Sequence, residues 1–341
     1  MKNGRDPVIV GLADAPIEDG KFVNKASVLG HAALVAKAAV EEAGLTLDDV
    51  DGLLTAGMWG VPGPGQLATV TLGEYLGIMP TYVDGTNIGG SAFEAHVAHA
   101  AMALREGYCE VALIVYSSDQ KSLRSRNLGG RPSVLSMQHE TPYGMPTPVG
   151  GYAMAAQRHM HEYGTTSENL AEIAVATRKW AQLNPAATRR DPLSVDDVMS
   201  STMISEPLHL LDCCLVTDGA GAIVMTTAER AKDLKTKPIK VKGYGEAHTH
   251  WAIGEMPDLA RLLPAQKAGE TAMKMAGVNH SDIDVVEVYD SFTITVLLTL
   301  EALGFCKIGE GGDFVSGQRT APGGAFPMNT NGGGLSALHP G

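Results

Sequence analysis

Three short stretches of this 341-residue chain gather polar and glycine residues where an apolar run gives way, which is where a layered α/β sheet presents its chemistry. The first is Asp84-Gly85-Thr86-Asn87-Ile88-Gly89-Gly90-Ser91, ahead of an alanine-rich run. A helix starting there offers backbone N–H groups to an anion or a developing oxyanion, with Gly89, Gly90 and Ser91 as its candidate residues. Two successive glycines also suit a plain tight turn. The second stretch is Val288-Tyr289-Asp290-Ser291-Phe292. Tyr289 brings a phenol able to exchange a proton and Asp290 a carboxylate to adjust it; the structural alternatives are a rim tyrosine and a helix N-cap. The third runs from Met328 through Asn329, Asn331 and Gly332-Gly333-Gly334 to His339-Pro340-Gly341. Amides and an imidazole are groups that steady a carbonyl oxygen as negative charge builds on it, although a histidine beside proline also fits a structural role.

Cysteine is the first suspect for a nucleophile, and no cysteine here sits in such a place. Cys109 opens an apolar run, Cys213 and Cys214 precede Asp218-Gly219-Ala220-Gly221-Ala222, and Cys306 follows a helix. All four read as small buried hydrophobes. Adjacent positions 213 and 214 fit no zinc spacing. His248-Thr249-His250 alternates as a strand does but lacks a third ligand, and His159 and His161 are no better placed, so no metal is expected.

The elements that must position these loops follow from periodicity. Pro7-Val8-Ile9-Val10-Gly11-Leu12 reads as a buried strand, as do residues 51–55 and 111–117. Residues 27–43 carry apolar side chains three and four apart with Gly44 behind them, a helix with one buried stripe. Residues 89–104 form a second, alanine-rich helix. Strand, helix, strand, helix, strand argues for a layered α/β sheet with parallel neighbours. Ala43-Gly44-Leu45-Thr46-Leu47-Asp48-Asp49-Val50-Asp51 aligns without gaps to Ala276-Gly277-Val278-Asn279-His280-Ser281-Asp282-Ile283-Asp284, and Pro7-Val8-Ile9-Val10 resembles Pro238-Ile239-Lys240-Val241. A duplicated α/β unit is expected, with 285–288 as a strand and each Pro-led run opening its half; a common helix-to-strand connector is the plain alternative. Residues 121–210 shift in composition, with Pro132, Pro142, Pro146 and Pro148 among glycines, the cations Lys121, Arg124, Arg126 and Arg131, and a helical stretch over 154–180. Such an excursion reads as an insertion whose positive charge holds a phosphorylated ligand, or is merely solvated.

The bulk properties exclude several classes. Hydrophobic residues are 44% and charged residues 19%, which suits a globular core. A net charge of −12 repels phosphate backbones and anionic lipid, so neither nucleic acid nor a membrane surface is an expected partner. Four scattered cysteines make no disulfide framework, no apolar run spans a bilayer, and the first residues lack a secretion signal; a reducing, cytoplasmic setting is expected.

These loops, with Leu208-His209-Leu210-Leu211-Asp212-Cys213-Cys214-Leu215-Val216-Thr217-Asp218-Gly219-Ala220-Gly221-Ala222 between them, resemble the thiolase superfamily over essentially the whole chain, in the branch similar to sterol carrier protein-type thiolases. The resemblance implies duplicated βαβαβαββ units in a five-layered α/β/α/β/α arrangement with an inserted loop domain. Residues 1–120 plus 207–232 would be the N-terminal half, 121–206 the inserted loop domain and 233–341 the C-terminal half. It implies a homodimer acting on coenzyme A thioesters, with coenzyme A as part of the substrate and no covalently bound cofactor. Arg124, Arg126, Arg131 and Gly333 are the expected coenzyme A contacts. The family's last motif, a Cys-x-Gly on a final hairpin, is not reached before Gly341, so the resemblance implies either a further C-terminal segment beyond this sequence or its loss from the protein.

In that family the loop matching 87–91 carries an acyl-accepting cysteine, that matching 289–292 an Asn or His orienting an oxyanion-hole water, and the His-Pro loop a catalytic histidine. Here Gly89 stands in the cysteine's place and Tyr289 in that of the Asn or His, while Asp290, Phe292 and His339 fit. A pocket that holds an acyl-CoA enolate without an acyl-enzyme suits retro-aldol cleavage of a β-hydroxyacyl-CoA to a ketone or aldehyde and a shorter acyl-CoA. Tyr289 would exchange the hydroxyl proton, Asp290 adjust it, and His339 donate to the thioester oxygen, with Asn329 and Asn331 near the developing charge. The pattern resembles the thiolase-like steroid side-chain aldolases, which pair with a small protein bearing an OB-fold and zinc ribbon. Ser336-Ala337-Leu338 lacks the second tyrosine expected beside their His-Pro motif, which leaves the acyl group more open than the reaction. Two rival readings are a thiolytic or Claisen enzyme using another cysteine and a silent coenzyme A-binding scaffold subunit.

Overall fold

The apolar runs at 7–12, 51–55 and 111–117 become strands of one six-stranded sheet. The computed structural model describes residues 4–57, 67–124, 137–145 and 148–341, so that Arg126 and Arg131 lie outside the described residues. The chain packs as two units: Met1–Ser125 with Thr217–Lys242 and Pro340–Gly341, and Arg126–Val216 with Gly243–His339.

In the first unit the strand order is Ile239–Lys240, Pro7–Asp14, Gly219–Thr227, Val111–Ser118, Gly52–Leu54, Tyr82–Asp84. Gly52–Leu54 runs parallel to both neighbours, Leu53 facing Val83 and Leu113. Gly219–Thr227 is antiparallel to Val111–Ser118 and to Pro7–Asp14. The expected parallel pairing therefore holds only where helices cross between the short strands. Gly219–Thr227 returns after a long excursion and is free to take either direction.

Helix Val28–Ala43 begins at Ser27, whose hydroxyl accepts from the Gly30 N–H, and ends at Gly44 with φ 81°. Its stripe of Ala32, Val35, Ala36, Ala39 and Val40 lies in one core cluster with Val8, Val10, Leu113 and Val224 of the sheet. The layers approach so closely that a Cβ on Gly11 would stand 2.1 Å from the Ala39 carbonyl oxygen. The alanine-rich helix expected over 89–104 starts only at Ala92 and continues to Glu106, because the left-handed Gly89 (φ 84°) makes a turn first.

In the second unit the helical stretch expected over 154–180 is two helices. Val149–Tyr163 ends at the left-handed Gly164 (φ 76°), and Ser167–Leu183 starts behind Thr166, whose hydroxyl accepts from the Asn169 N–H. Thr293–Ala302 is apolar on nearly every side and its Ile294, Val296, Leu297 and Leu300 fill the core. Its acid, Glu301, is buried against His159, Oε2 lying 3.1 Å from Nε2, and its Oε1 accepts from the Gly311 N–H at 2.8 Å.

The internal echo is realised locally. Leu263–Ala276 ends at the left-handed Gly277 as Val28–Ala43 ends at Gly44. Each is followed by a 3-10 turn in which an aspartate accepts from a backbone N–H three residues back, Asp282 from Asn279 and Asp49 from Thr46. A Cβ on Gly243 would meet the Ala272 carbonyl oxygen at 2.2 Å, the counterpart of Gly11 on Ala39. The expected strands differ. Residues 285–288 contribute one parallel bridge, Val286 to Met328, and Ile239–Lys240 pairs antiparallel with Val8 and Ile9 at the edge of the first sheet instead of opening a second half. Caps and turns close within a few residues, so similar sequences repeat them; a strand exists only through partners remote in the chain.

Among the described residues no helix is long and apolar enough to cross a membrane, and no three His, Cys, Asp or Glu side chains converge as a metal would need. No disulfide joins the four cysteines.

Candidate active site

Two extended runs of the second unit bring the second and third loops together. The Asn329 N–H donates to the Val286 carbonyl at 3.0 Å, and the Val288 N–H donates to the Asn329 side-chain carbonyl at 2.9 Å. Asn329 adopts φ 49°, a left-handed conformation that asparagine tolerates better than most residues. Tyr289 and Asp290 thus emerge beside the glycine-rich turn.

That turn, Gly333–Ala337, is a single π-helical turn, an irregularity that concentrates at functional sites. Asp290 organises its start. The carboxylate is 3% exposed, Oδ1 accepting from the Gly334 N–H at 2.6 Å and Oδ2 from the Leu335 N–H at 3.0 Å. Burial raises the Asp290 carboxyl above the usual carboxylate range, and the same two N–H groups oppose that rise. A Cβ on Gly333, which sits at φ 53°, would come 2.1 Å from Asp290 Oδ2, and one on Gly334 2.9 Å from Oδ1. The far side of the turn is held by Ser336 and Ala337, whose carbonyls accept from the N–H groups of Arg189 and Thr188 at 2.9 and 3.1 Å.

His339 leaves this turn with its ring buried, at 5% exposure. Its Nε2 lies 2.9 Å from the Tyr289 hydroxyl, the two rings 18° from parallel. Tyr289 itself is 54% exposed, so the phenol faces both the imidazole and the outside. A neutral imidazole accepts the phenolic proton and an imidazolium donates to a phenolate. Either way the pair moves one proton without a water between.

The sequence-derived residues divide accordingly. Tyr289 and His339 meet. Asp290 does not attend the phenol as expected: both of its oxygens are committed to the Gly334 and Leu335 amides, and the N-cap position of the helix after it belongs to Phe292. Gly333, expected at coenzyme A, is a glycine because Asp290 occupies the space where a side chain would go. Asn331 accepts from the Gly333 N–H at 2.7 Å through its side-chain oxygen, and Asn329 spends its own on Val288, so both shape the loop. In the first unit, the Gly89 N–H donates to the Asn87 side chain at 3.2 Å. A Cβ on Gly89 or Gly90 would find nothing within 4 Å, so crowding does not impose glycine there. Ser91 takes the N-cap place of the next helix without a side-chain bond, and Arg124 is exposed at φ 51°. Lys121, counted among the cations of the insertion, donates to the Asp19 carbonyl. Burial pushes the thiols of Cys109, Cys213 and Cys306 up to about 12.

Sequence reasoning passed over three groups that build this site. Arg178, a cation within an otherwise apolar stripe of helix Ser167–Leu183, donates to Ser336; its misplaced charge was the available signal. Asp212 accepts from the Thr293 hydroxyl at 2.9 Å and the His209 N–H at 2.9 Å. The N–H groups of Cys214 and Leu215 tie to the carbonyls of Ser291 and Gly334, both at 2.9 Å, fastening the two loops to one segment.

A sequence profile of thiolase C-terminal domain-like proteins matches residues 245–341. The chain is 33% identical to the 17-hydroxy-3-oxo-4-pregnene-20-carboxyl-CoA lyase of Mycobacterium tuberculosis over 99% of its own length and 89% of that protein's. The chain belongs to the thiolase superfamily. It is also similar to an acetyl-CoA acetyltransferase of Methanothermobacter thermautotrophicus, 31% identical over 98% of this chain and 87% of that one. Among solved structures the Ltp2-ChsH2(DUF35) aldolase has a TM-score of 0.85 at 32% identity, covering 98% of this chain and 86% of the other. Within the thiolase superfamily the chain lies in the thiolase-like aldolase branch. The acetyltransferase relative is nearly as similar in identity as the lyase. Position 89 of this chain carries no sulfur, and a phenol–imidazole pair stands in its C-terminal part.

Proposed function

We propose that the protein cleaves a β-hydroxyacyl-CoA by retro-aldol chemistry, releasing a ketone or aldehyde and a shorter acyl-CoA without passing through an acyl-enzyme. The observation that carries this reading is the 2.9 Å hydrogen bond between the Tyr289 hydroxyl and His339 Nε2. As the phenolic proton passes to His339, the Tyr289 oxygen takes the proton of the substrate's β-hydroxyl. The O–H electron pair becomes the new C=O bond, the Cα–Cβ bond breaks, and its electrons form the enolate of the thioester. The imidazolium returns its proton to that enolate at the α-carbon, which regenerates both side chains. No covalent bond to the protein is required, which agrees with glycine at 89 and with cysteines whose thiols are held up near 12.

The lyase and aldolase names of similar proteins support the reaction class, and the first of them supports a steroid side-chain thioester as the acyl group. The proposed contacts to the coenzyme A phosphates are Arg124, Arg126 and Arg131, and the Gly89–Ser91 loop is a proposed anion-holding turn. A second copy of the chain and a small OB-fold, zinc-ribbon protein complete the proposed assembly; the two-component Ltp2-ChsH2(DUF35) aldolase supports a protein partner of some kind. A cytoplasmic setting goes with cysteines that form no disulfide.

The test is incubation with a panel of 3-hydroxyacyl-CoAs, with released carbonyl trapped as a hydrazone and the shorter acyl-CoA quantified by chromatography. Tyr289→Phe and His339→Ala each lower the rate by about a hundredfold or more. Cleavage that instead consumes free coenzyme A and leaves an acyl label on a cysteine would establish the thiolase reading. Unchanged turnover in both variants would assign the chemistry to a partner.

A further inference from the structure

Helix Ser167–Leu183 buries a guanidinium where an aliphatic side chain would pack without cost. Arg178 is 6% exposed and lies among Ala171, Ala174, Val175 and Ala181 on the helix's buried face. Burying a cation is expensive unless hydrogen bonds return the cost. Here Nε donates to Ser336 Oγ at 2.8 Å and Nη1 to the Asp191 carbonyl at 3.1 Å. Ser336 is itself 1% exposed and stands three residues before His339.

The turn that carries Ser336 closes through the N–H groups of Ser336 and Ala337, both to the Gly332 carbonyl at 3.0 Å, and Leu338 N–H to the Gly333 carbonyl at 3.1 Å, and such π turns are rare. Two buried ionisable side chains grip it from opposite ends: Asp290 takes the N–H groups of Gly334 and Leu335, and Arg178 takes the Ser336 hydroxyl. His339 is the first side chain after the turn to reach Tyr289.

The geometry points to Arg178 as a positioning residue that, through Ser336, holds His339 Nε2 on the Tyr289 hydroxyl. The inference rests on the reading that this pair is reactive. Arg178 touches neither reacting atom, so its loss acts through the height and tilt of the imidazole. A misplacement of about 1 Å lowers kcat by about a hundredfold, while KM, which this contact does not govern, stays within about twofold.

The experiment uses the full chain with Ser336→Ala, Arg178→Met, the conservative Arg178→Lys and, on the exposed neighbouring position, Lys179→Ala as control. One readout needs no substrate: the ring signals of His339 in histidine-labelled protein, assigned with His339→Ala, and their displacement in Tyr289→Phe, which removes the hydroxyl. Ser336→Ala and Arg178→Met are expected to move the His339 signals toward their Tyr289→Phe positions, Arg178→Lys part of the way, and Lys179→Ala not at all. The second readout is turnover of the 3-hydroxyacyl-CoA panel, with kcat reduced about ten- to a hundredfold in Ser336→Ala at nearly constant KM. His339 signals that stay at their wild-type positions in Ser336→Ala overturn the inference, as does lowered thermal stability with unchanged kcat per folded molecule. If the signals move as expected but the wild type cleaves none of the panel, the positioning inference stands and the proposed reaction falls.

Discussion

Replacing Asp290 separates a carboxylate that moves protons from one that builds the turn. In the structure its two oxygens accept from the Gly334 and Leu335 amides at 2.6 and 3.0 Å, at a site 3% exposed. Alanine leaves both N–H groups buried without an acceptor, at about 1–3 kcal/mol each, or about 2–6 kcal/mol together. That is a large part of the roughly 5–15 kcal/mol by which a folded domain is stable. Asparagine keeps one acceptor but sets an NH2 against the other amide, so about 1–3 kcal/mol is lost. Urea unfolding followed by the fluorescence of the three tryptophans gives the midpoints, and turnover is normalised to folded protein. Both variants should lose stability, alanine more than asparagine, and both should lose kcat as His339 drifts from Tyr289. The reasoning fails if Asp290→Asn unfolds at the wild-type midpoint yet has lost its turnover, because the carboxylate would then act on a proton. It also fails if Asp290→Ala costs less than about 1 kcal/mol, because the π turn would then not depend on these bonds.

Cys109, Cys213 and Cys306 lie near 12 because burial disfavours the thiolate, so the reactive form accumulates only as pH rises toward that value. At pH 8 about one thiol in ten thousand is ionised, against about a quarter for an ordinary cysteine. Iodoacetamide should leave these three unmodified by mass spectrometry in the native protein and label them in urea, and rapid native labelling of any would revive a cysteine nucleophile. Gly11→Ala and Gly243→Ala drive a Cβ onto the backbone oxygens of Ala39 and Ala272, at 2.1 and 2.2 Å, and each should cost about 1–3 kcal/mol or more. Gly90→Ala, with nothing within 4 Å, should change stability by no more than about 0.5 kcal/mol, and thermal melts of the three variants check the contrast.

The ends of the helices were legible because they are written within a few residues: the helix from Ser27 ends at Gly44, and the repeated Ala-Gly closes the second helix at Gly277. The break at Gly164 was missed where an apolar period ran on past it, and the strands suggested by 238–241 and 285–288 were misplaced because their similarity to the first half spoke for extended backbone and was silent about partners. The loops of Tyr289, Asn329 and His339 stood out as polar interruptions of apolar runs.

What the chain's order of residues determined alone is the inventory: no sulfur at 89, a phenol at 289, an imidazole at 339, and the caps and stripes of each helix. Tertiary structure decided who meets whom. Tyr289 finds His339 across 50 residues, Asp290 finds Gly334 across 44, and Arg178 finds Ser336 across 158. Partners that far apart are chosen by how the helices and extended runs pack, and a carboxylate beside a phenol in sequence turns to whichever buried amides would otherwise go unpaired.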